Sequence, residues 1–179
     1  MGYNKIKLAN TLFDPTCRKE ILGYSIYRNY LPSPQANFMN LYVNDDFLGL
    51  YVNTEAINYN FLDKHFGESD GAFFKCENQD LFGVSGGSLT PNLDYRGMDS
   101  TLYVESYELK SESGFKELMD MIYTLNNDIA NIENYLNVDR ALWYLAVNSC
   151  ILNADTYSLV NVRNYYMYQT ENGQFQIIP

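Results

Sequence analysis

The sequence predicts an α+β fold, and three observations carry that expectation. Two β-type pairs flank turn-forming residues: 38–43 and 47–52 around Asn44-Asp45-Asp46, and Tyr165–Gln169 and Phe175–Ile178 around Glu171-Asn172-Gly173. Helical spacing of apolar residues fills other stretches. Hairpins and helices are segregated instead of alternating strictly, which disfavours a parallel sheet. With 179 residues, 46% hydrophobic and 19% charged, the composition is that of a folded chain. One domain over 1–179 is expected, large enough to bury its own core.

The elements follow in order. Asp14-Pro15 predicts a helix start, since Asp accepts from free backbone N–H groups and Pro fits the first helical position. Leu22, Ile26 and Tyr30 then recur every fourth residue as one apolar face, and Pro32-Ser33-Pro34 stops the helix. In the first hairpin Asn and Asp tolerate the turn, and Gly49 is expected to mark a close backbone approach. A short helix is expected over about 56–66, ending at Gly67, followed by a strand over 72–76. From about 77 to 101, Gly83, Gly86, Gly87, Pro91 and Gly97 lie among polar residues, which reads as a long loop region. Gly86-Gly87-Ser88 is not a phosphate loop, because no Gly-Lys-Ser/Thr follows.

Residues 103–109 read as a strand or extended segment. Residues 114–125 read as an amphipathic helix with Phe115, Leu118, Met119 and Ile122 on one side. The stretch 138–152, with Leu142, Trp143, Leu145, Ala146 and Val147, is apolar nearly all round and is expected to be a buried helix. The closing hairpin completes the chain.

Charge and composition exclude several functions. With 12 Lys+Arg against 22 Asp+Glu the net charge is −10, the opposite of a nucleic-acid footprint. An anionic membrane surface is disfavoured for the same reason. No run of about 18 apolar residues predicts a transmembrane helix, so no membrane insertion is expected. No signal-peptide layout opens the chain, and Ile6 argues against N-myristoylation after Met1-Gly2. Cys17, Cys76 and Cys150 are dispersed, which disfavours zinc and favours reduced thiols, with a single disulfide left open. His65 reads as structural, its charged form suiting the end of a helix. The 17 tyrosines and 10 phenylalanines fit a core better than a carbohydrate-binding face. Asp94, Asp99 and Glu105 lack the spacing of a calcium loop.

The last forty residues hold the candidate chemistry. A helix ends, Asp155 follows, then Asn161 and Asn164, then a hairpin. Protein kinases use this order of parts. An Asp orients the substrate hydroxyl, an Asn a few residues on binds magnesium, and a hairpin leads to a second metal-binding Asp. Phosphoryl transfer needs positioning and charge neutralisation more than covalent chemistry. Hard oxygen ligands suit magnesium. Taken alone, an Asp after a helix is more often a cap or turn residue.

Several blocks point further. They are Pro32-Ser33-Pro34; Asn40-Leu41-Tyr42-Val43-Asn44-Asp45-Asp46-Phe47-Leu48-Gly49-Leu50-Tyr51 followed by Glu55; Phe61-Leu62 through Phe66-Gly67; and Gly71-Ala72-Phe73-Phe74-Lys75. Tyr107-Glu108-Leu109-Lys110, Asn153-Ala154-Asp155 and Asn164-Tyr165-Tyr166-Met167-Tyr168 continue the series, and Lys7-Leu8 through Asp14-Pro15-Thr16 and Arg18 precede it. In this order they resemble the spore-coat protein H (CotH) family of atypical protein kinases. The resemblance implies an atypical protein-kinase-like fold and phosphate transfer from ATP, with Mg2+ or Mn2+, to Ser or Thr of coat or surface proteins. It makes Asp155 the catalytic residue, Asn164 a metal ligand with Asn161 as its rival, and Glu55 and Lys75 nucleotide neighbours. It also implies an extracellular, cell-surface or spore-coat location. On residues alone Glu55 also reads as a cap of the next helix, and Lys75 as an ion-paired strand residue. Relative to the family pattern the domain is expected to be incomplete at both ends, without the Arg-Gly and Lys-bearing segment or the Trp-Asp metal ligand, and the 179-residue chain alone is expected to be nearly inactive. Two alternatives stand beside the kinase: a non-catalytic adhesion or coat-assembly module on the same scaffold, and a carbohydrate-binding domain with a row of exposed aromatics.

Overall fold

The computed structural model describes residues 5–12, 14–77, 90–157 and 162–179. The chain is α+β, with antiparallel sheets and four α-helices among the described residues. Its contacts group into two compact units, Met1–Ser69 and Asp70–Pro179.

The first unit contains β1 (Lys7–Ala9), α1 (Lys19–Tyr27), β2 (Ala36–Val43), β3 (Asp46–Thr54) and α2 (Tyr59–Phe66). Its antiparallel sheet has the order β1-β3-β2. The β2–β3 turn is made by Asn44 and Asp45 alone, with φ of 49° and 69°. Left-handed backbone at both central residues is what a type I′ hairpin demands, and it matches the twist of the strands. Asp46 therefore opens β3 instead of sitting in the turn. Gly49 makes no close approach, since a Cβ there would meet nothing within 4 Å. Its φ of 129° instead serves a bulge, where pairing passes from Leu41 with Gly49 to Tyr42 with Phe47.

Asp14 does not open the helix directly. Its carboxylate accepts from the Thr16 hydroxyl at 2.7 Å and from the Lys19 amide at 2.8 Å, so it closes a turn whose end is the first helical residue. These bonds, the Thr16 hydroxyl first, hold its carboxyl below the usual range. The expected apolar face is also rotated away from the core. Leu22, Ile26 and Tyr30 are exposed, whereas Tyr27 and Leu31 are buried and Glu20 accepts from the Thr54 hydroxyl at 2.7 Å. Positions 20 and 27 share one helical face, which meets the sheet at Thr54, and Leu31 follows the helix with its amide bonded to the Tyr27 carbonyl.

Helix α2 starts after Asn58, whose side chain accepts from the Phe61 amide at 3.2 Å, and ends at left-handed Gly67. His65 packs its ring 4.2 Å from that of Phe61, and its buried Nε2 has no hydrogen-bond partner among the described residues. Burial, helped by the Lys64 charge and opposed by Glu55, pushes the imidazole pKa down. The neutral form is thus favoured, against the dipole-based expectation, because desolvation outweighs a helix end. The unfolded chain then binds the proton more readily. Stability is expected to be fully present above about pH 6.5 and to fall as pH drops below it. The denaturation midpoint between pH 7.5 and 5.5 should drop more in the natural protein than in His65→Phe. Equal drops would exclude this role.

The second unit contains β4 (Phe73–Cys76), β5 (Tyr107–Leu109), α3 (Phe115–Asn127), α4 (Val138–Cys150), β6 (Tyr165–Gln169) and β7 (Phe175–Ile178). Its antiparallel sheet has the order β5-β4-β6-β7. Phe74, Tyr107, Tyr165, Met167 and Phe175 from the sheet are buried, as are Leu118, Met121 and Ile122 of α3. The expected strand at 103–109 is only its last three residues. Before it, Asp99 caps a 3-10 turn over Ser100–Leu102 by accepting from the Thr101 amide at 3.0 Å. Asp94 accepts from Asn92, and among the described residues no cluster of metal-ligating side chains forms.

Helix α4 is not buried all round. Only Tyr144, Val147 and Asn148 are buried, a stripe at i, i+3 and i+4, while Leu142 is 60% and Trp143 40% exposed. Apolar residues on a surface are common, so sequence hydrophobicity overstated the burial.

The tyrosines of this unit act as ties as well as filling. Tyr165 donates its hydroxyl to the Pro91 carbonyl and Tyr157 to the Asn92 carbonyl at 3.2 Å, and Tyr107 accepts from the Leu93 amide at 2.9 Å. Two of these hydroxyls fasten the described end of the long loop to strands β5 and β6, and that of Tyr157 fastens it to the turn after α4. Burial raises the pKa of all three, which keeps them protonated. Exposed aromatics on the β2–β3 hairpin of the first unit are Phe38, Tyr42 and Phe47, and the second unit exposes Tyr123 and Trp143. All three cysteines are free, and burial pushes the Cys76 thiol pKa up. Gly86-Gly87-Ser88 lies outside the described residues.

Candidate functional site

The site is built between α4 and β6. Asn137 starts α4 by accepting from the Arg140 amide at 3.1 Å. The helix runs to Cys150, and Leu152 turns the chain with a φ of 53°. The turn is locked by two asparagines. Asn148, fully buried, donates to the Tyr144 carbonyl at 2.8 Å, and Asn153 donates to the Asn148 side-chain oxygen at 2.9 Å. The Asn153 amide also bonds the Asn148 carbonyl at 3.0 Å. One residue past Asp155, buried Thr156 bonds the Tyr144 hydroxyl. Asp155 thus sits on a short segment pinned on both sides to one helix, while its own side chain stays about 50% exposed.

The chain returns to Asp155 at residues 163 and 164. Arg163 donates from Nε to Asp155 Oδ1 at 2.7 Å. Asn164 donates from Nδ2 to Asp155 Oδ2 at 2.9 Å and to its backbone carbonyl at 3.1 Å. Asn164 has a φ of 59°, a left-handed conformation that asparagine tolerates better than most residues. That bend lets its side chain reach back while the next residue enters β6. The structure therefore joins two sequence candidates nine residues apart, Asp155 and Asn164. Asn161, the rival of Asn164, lies outside the described residues.

Lys75 is on the neighbouring strand. Tyr165 and Tyr166, directly after Asn164, pair with Cys76 and Lys75. Lys75 forms an ion pair with Glu77 and lies opposite Glu108 of β5. Glu55 belongs to the first unit. It does not cap α2, a task taken by Asn58. One of its carboxylate oxygens accepts from the Gln35 amide at 3.0 Å, and the other pairs with Lys64 at 2.7 Å. Its side chain is only 10% exposed, so in this arrangement it clamps the start of β2 to the end of α2.

The donor chemistry at Asp155 suits a magnesium ion that arrives with waters and phosphate oxygens. Its carboxylate and the Asn164 amide oxygen are hard ligands, and Asn164 uses only its nitrogen within the clasp. It does not suit a cation held by protein ligands alone, since the described residues offer no further carboxylate, cysteine or histidine to such a cluster.

Sequence reading missed Arg163 and the Asn148–Asn153 pair. Arg163 had a visible signal, being the sole cation between Asn153 and Asn164. The asparagine pair had none beyond its spacing across a helix end.

A family model described as CotH kinase protein matches residues 1–179, the whole chain. No curated protein matches it.

Proposed function

Because the chain belongs to the CotH kinase protein family, we propose that it is a phosphoryl-transfer domain that moves the γ-phosphate of ATP to Ser or Thr hydroxyls of coat or surface proteins. The observation that carries this reading is the Asp155–Asn164 clasp, in which the Asn164 amide nitrogen holds an exposed carboxylate on a pinned segment and leaves its hard amide oxygen outside the clasp. Such positioning is most of what phosphoryl transfer requires. A location on a spore coat or cell surface follows from the same family membership and belongs to the proposal.

In this mechanism Asp155 orients the substrate hydroxyl and takes its proton. The hydroxyl oxygen bonds to the γ-phosphorus as the bond from phosphorus to the bridging oxygen breaks, and ADP leaves with the electron pair. Asn164 keeps Asp155 in place through Nδ2 and presents Oδ1 to a cation. Magnesium, when bound, would neutralise charge building on the phosphate oxygens. Lys75, two strand positions from Asn164 by register, supplies positive charge near the nucleotide once its pairing with Glu77 loosens. Glu55 and the backbone beside it are assigned to the adenine end.

Calorimetric titration of ATP with and without Mg2+ into the full-length protein tests the reading. Metal-dependent binding is expected, and Asn164→Ala should weaken it at least about tenfold, roughly 1.4 kcal/mol. Absence of any nucleotide binding would reject the kinase reading in favour of a recognition module.

A further inference from the structure

We infer that Arg163 is the anion ligand of the Asp155 site, holding phosphoryl oxygens with its two terminal nitrogens. The identity of the anion rests on the phosphoryl-transfer reading, while the anion site itself does not. A structural arginine–carboxylate pair commonly closes as a two-point fork, using two guanidinium nitrogens on two oxygens. Arg163 does not close that way. Its Nε meets Asp155 Oδ1 at 2.7 Å, while Oδ2 is taken by Asn164 at 2.9 Å. Among the described residues Nη1 and Nη2 have no partner, and the side chain is about 29% exposed. With respect to the described residues, the two terminal nitrogens are therefore available to a second, bidentate anion.

The electrostatics favour such a cation. A carboxylate accepting a proton beside a phosphoryl group sets two anions against each other, in a chain whose net charge is already −10. Arg163 touches the carboxylate through Nε and, among the described residues, keeps both terminal nitrogens unengaged, so it offsets that repulsion where it arises. Asn164, with its nitrogen spent on Asp155, offers only an oxygen and does not substitute for it.

The test titrates inorganic pyrophosphate, without metal, into the full-length protein and into Arg163→Gln, Arg163→Lys and Asp155→Asn. Pyrophosphate binding is expected. Arg163→Gln should weaken it about tenfold or more, as loss of charge-assisted hydrogen bonds does. Arg163→Lys should retain part of it, and Asp155→Asn should leave it equal or tighter by removing a neighbouring negative charge. No binding by the natural protein, or unchanged binding in Arg163→Gln, overturns the inference. So does an equal loss in Asp155→Asn, which would make Arg163 a brace for the loop. Mg-ATP binding with pyrophosphate binding indifferent to Arg163 would sink this inference and spare the kinase reading. Pyrophosphate binding that depends on Arg163, with no ATP binding, would do the reverse.

Discussion

Asp155→Asn is expected to lower phosphate transfer by about 10² to 10⁴-fold, the usual weight of a positioned acid–base group. The substitution preserves shape, and its remaining oxygen still faces Arg163 Nε; its new amide nitrogen loses the bond from Asn164 Nδ2, but Asn164 keeps its bond to the backbone carbonyl of residue 155, so the loop should hold. The Asp155–Arg163 contact is half exposed on the carboxylate side, and pairs of that kind contribute about 0.2–1 kcal/mol. The melting temperature should therefore barely move while turnover collapses. ATP affinity should change far less than turnover, because the proton is accepted only as the new bond forms. Transfer measured by phosphate incorporation into a generic acceptor such as casein separates these cases. Turnover within threefold of the natural protein would make Asp155 a loop residue, held by Arg163 and Asn164 for structure alone.

The site was legible where chemistry follows chain order and illegible where it depends on backbone conformation. A carboxylate after a helix, an asparagine before a strand and a hairpin beyond could be read directly, as could the closing β6–β7 pair at its observed limits. The left-handed turns at Leu152 and Asn164, which fold residue 164 back onto residue 155, leave no mark on hydrophobic period. The Tyr144–Asn148–Asn153 chain is likewise invisible, because a buried asparagine looks polar in sequence and is tolerated only through bonds made elsewhere. Burial failed in the opposite sense for α4 and α1. Apolar spacing identified helices, but which face meets a sheet was settled by contacts such as Glu20 with Thr54. Glu55 shows the same limit: next to a predicted helix it read as a cap, and only the fold reveals that its oxygens reach Gln35 and Lys64.

Phe74→Ala should cost about 3–5 kcal/mol, the usual range for emptying a buried aromatic site. The ring is fully buried at the centre of the second sheet, on the strand that pairs with both β5 and β6. It stands edge-on to Phe115 of α3 at 5.3 Å and tilted to Phe175 of β7 at 6.4 Å, so it couples a helix to two strands. Gly114, just before α3, has a φ of 153°, and a Cβ there would come within 3.2 Å of the same ring and 2.7 Å of Ala72. That close approach leaves little room for collapse from the helix side, so much of the cavity should persist. The loss is a large part of a typical total of 5–15 kcal/mol. Urea unfolding followed through Trp143, the sole tryptophan and a residue of α4, reports on this unit. A lower midpoint with unchanged slope is expected, and a loss under about 1 kcal/mol would show that the ring is not central to the core. Phe74 precedes Lys75 and pairs with Met167, three residues beyond Asn164. The same substitution should therefore loosen the sheet on which the Asn164 side of the clasp is mounted and weaken metal-dependent ATP binding.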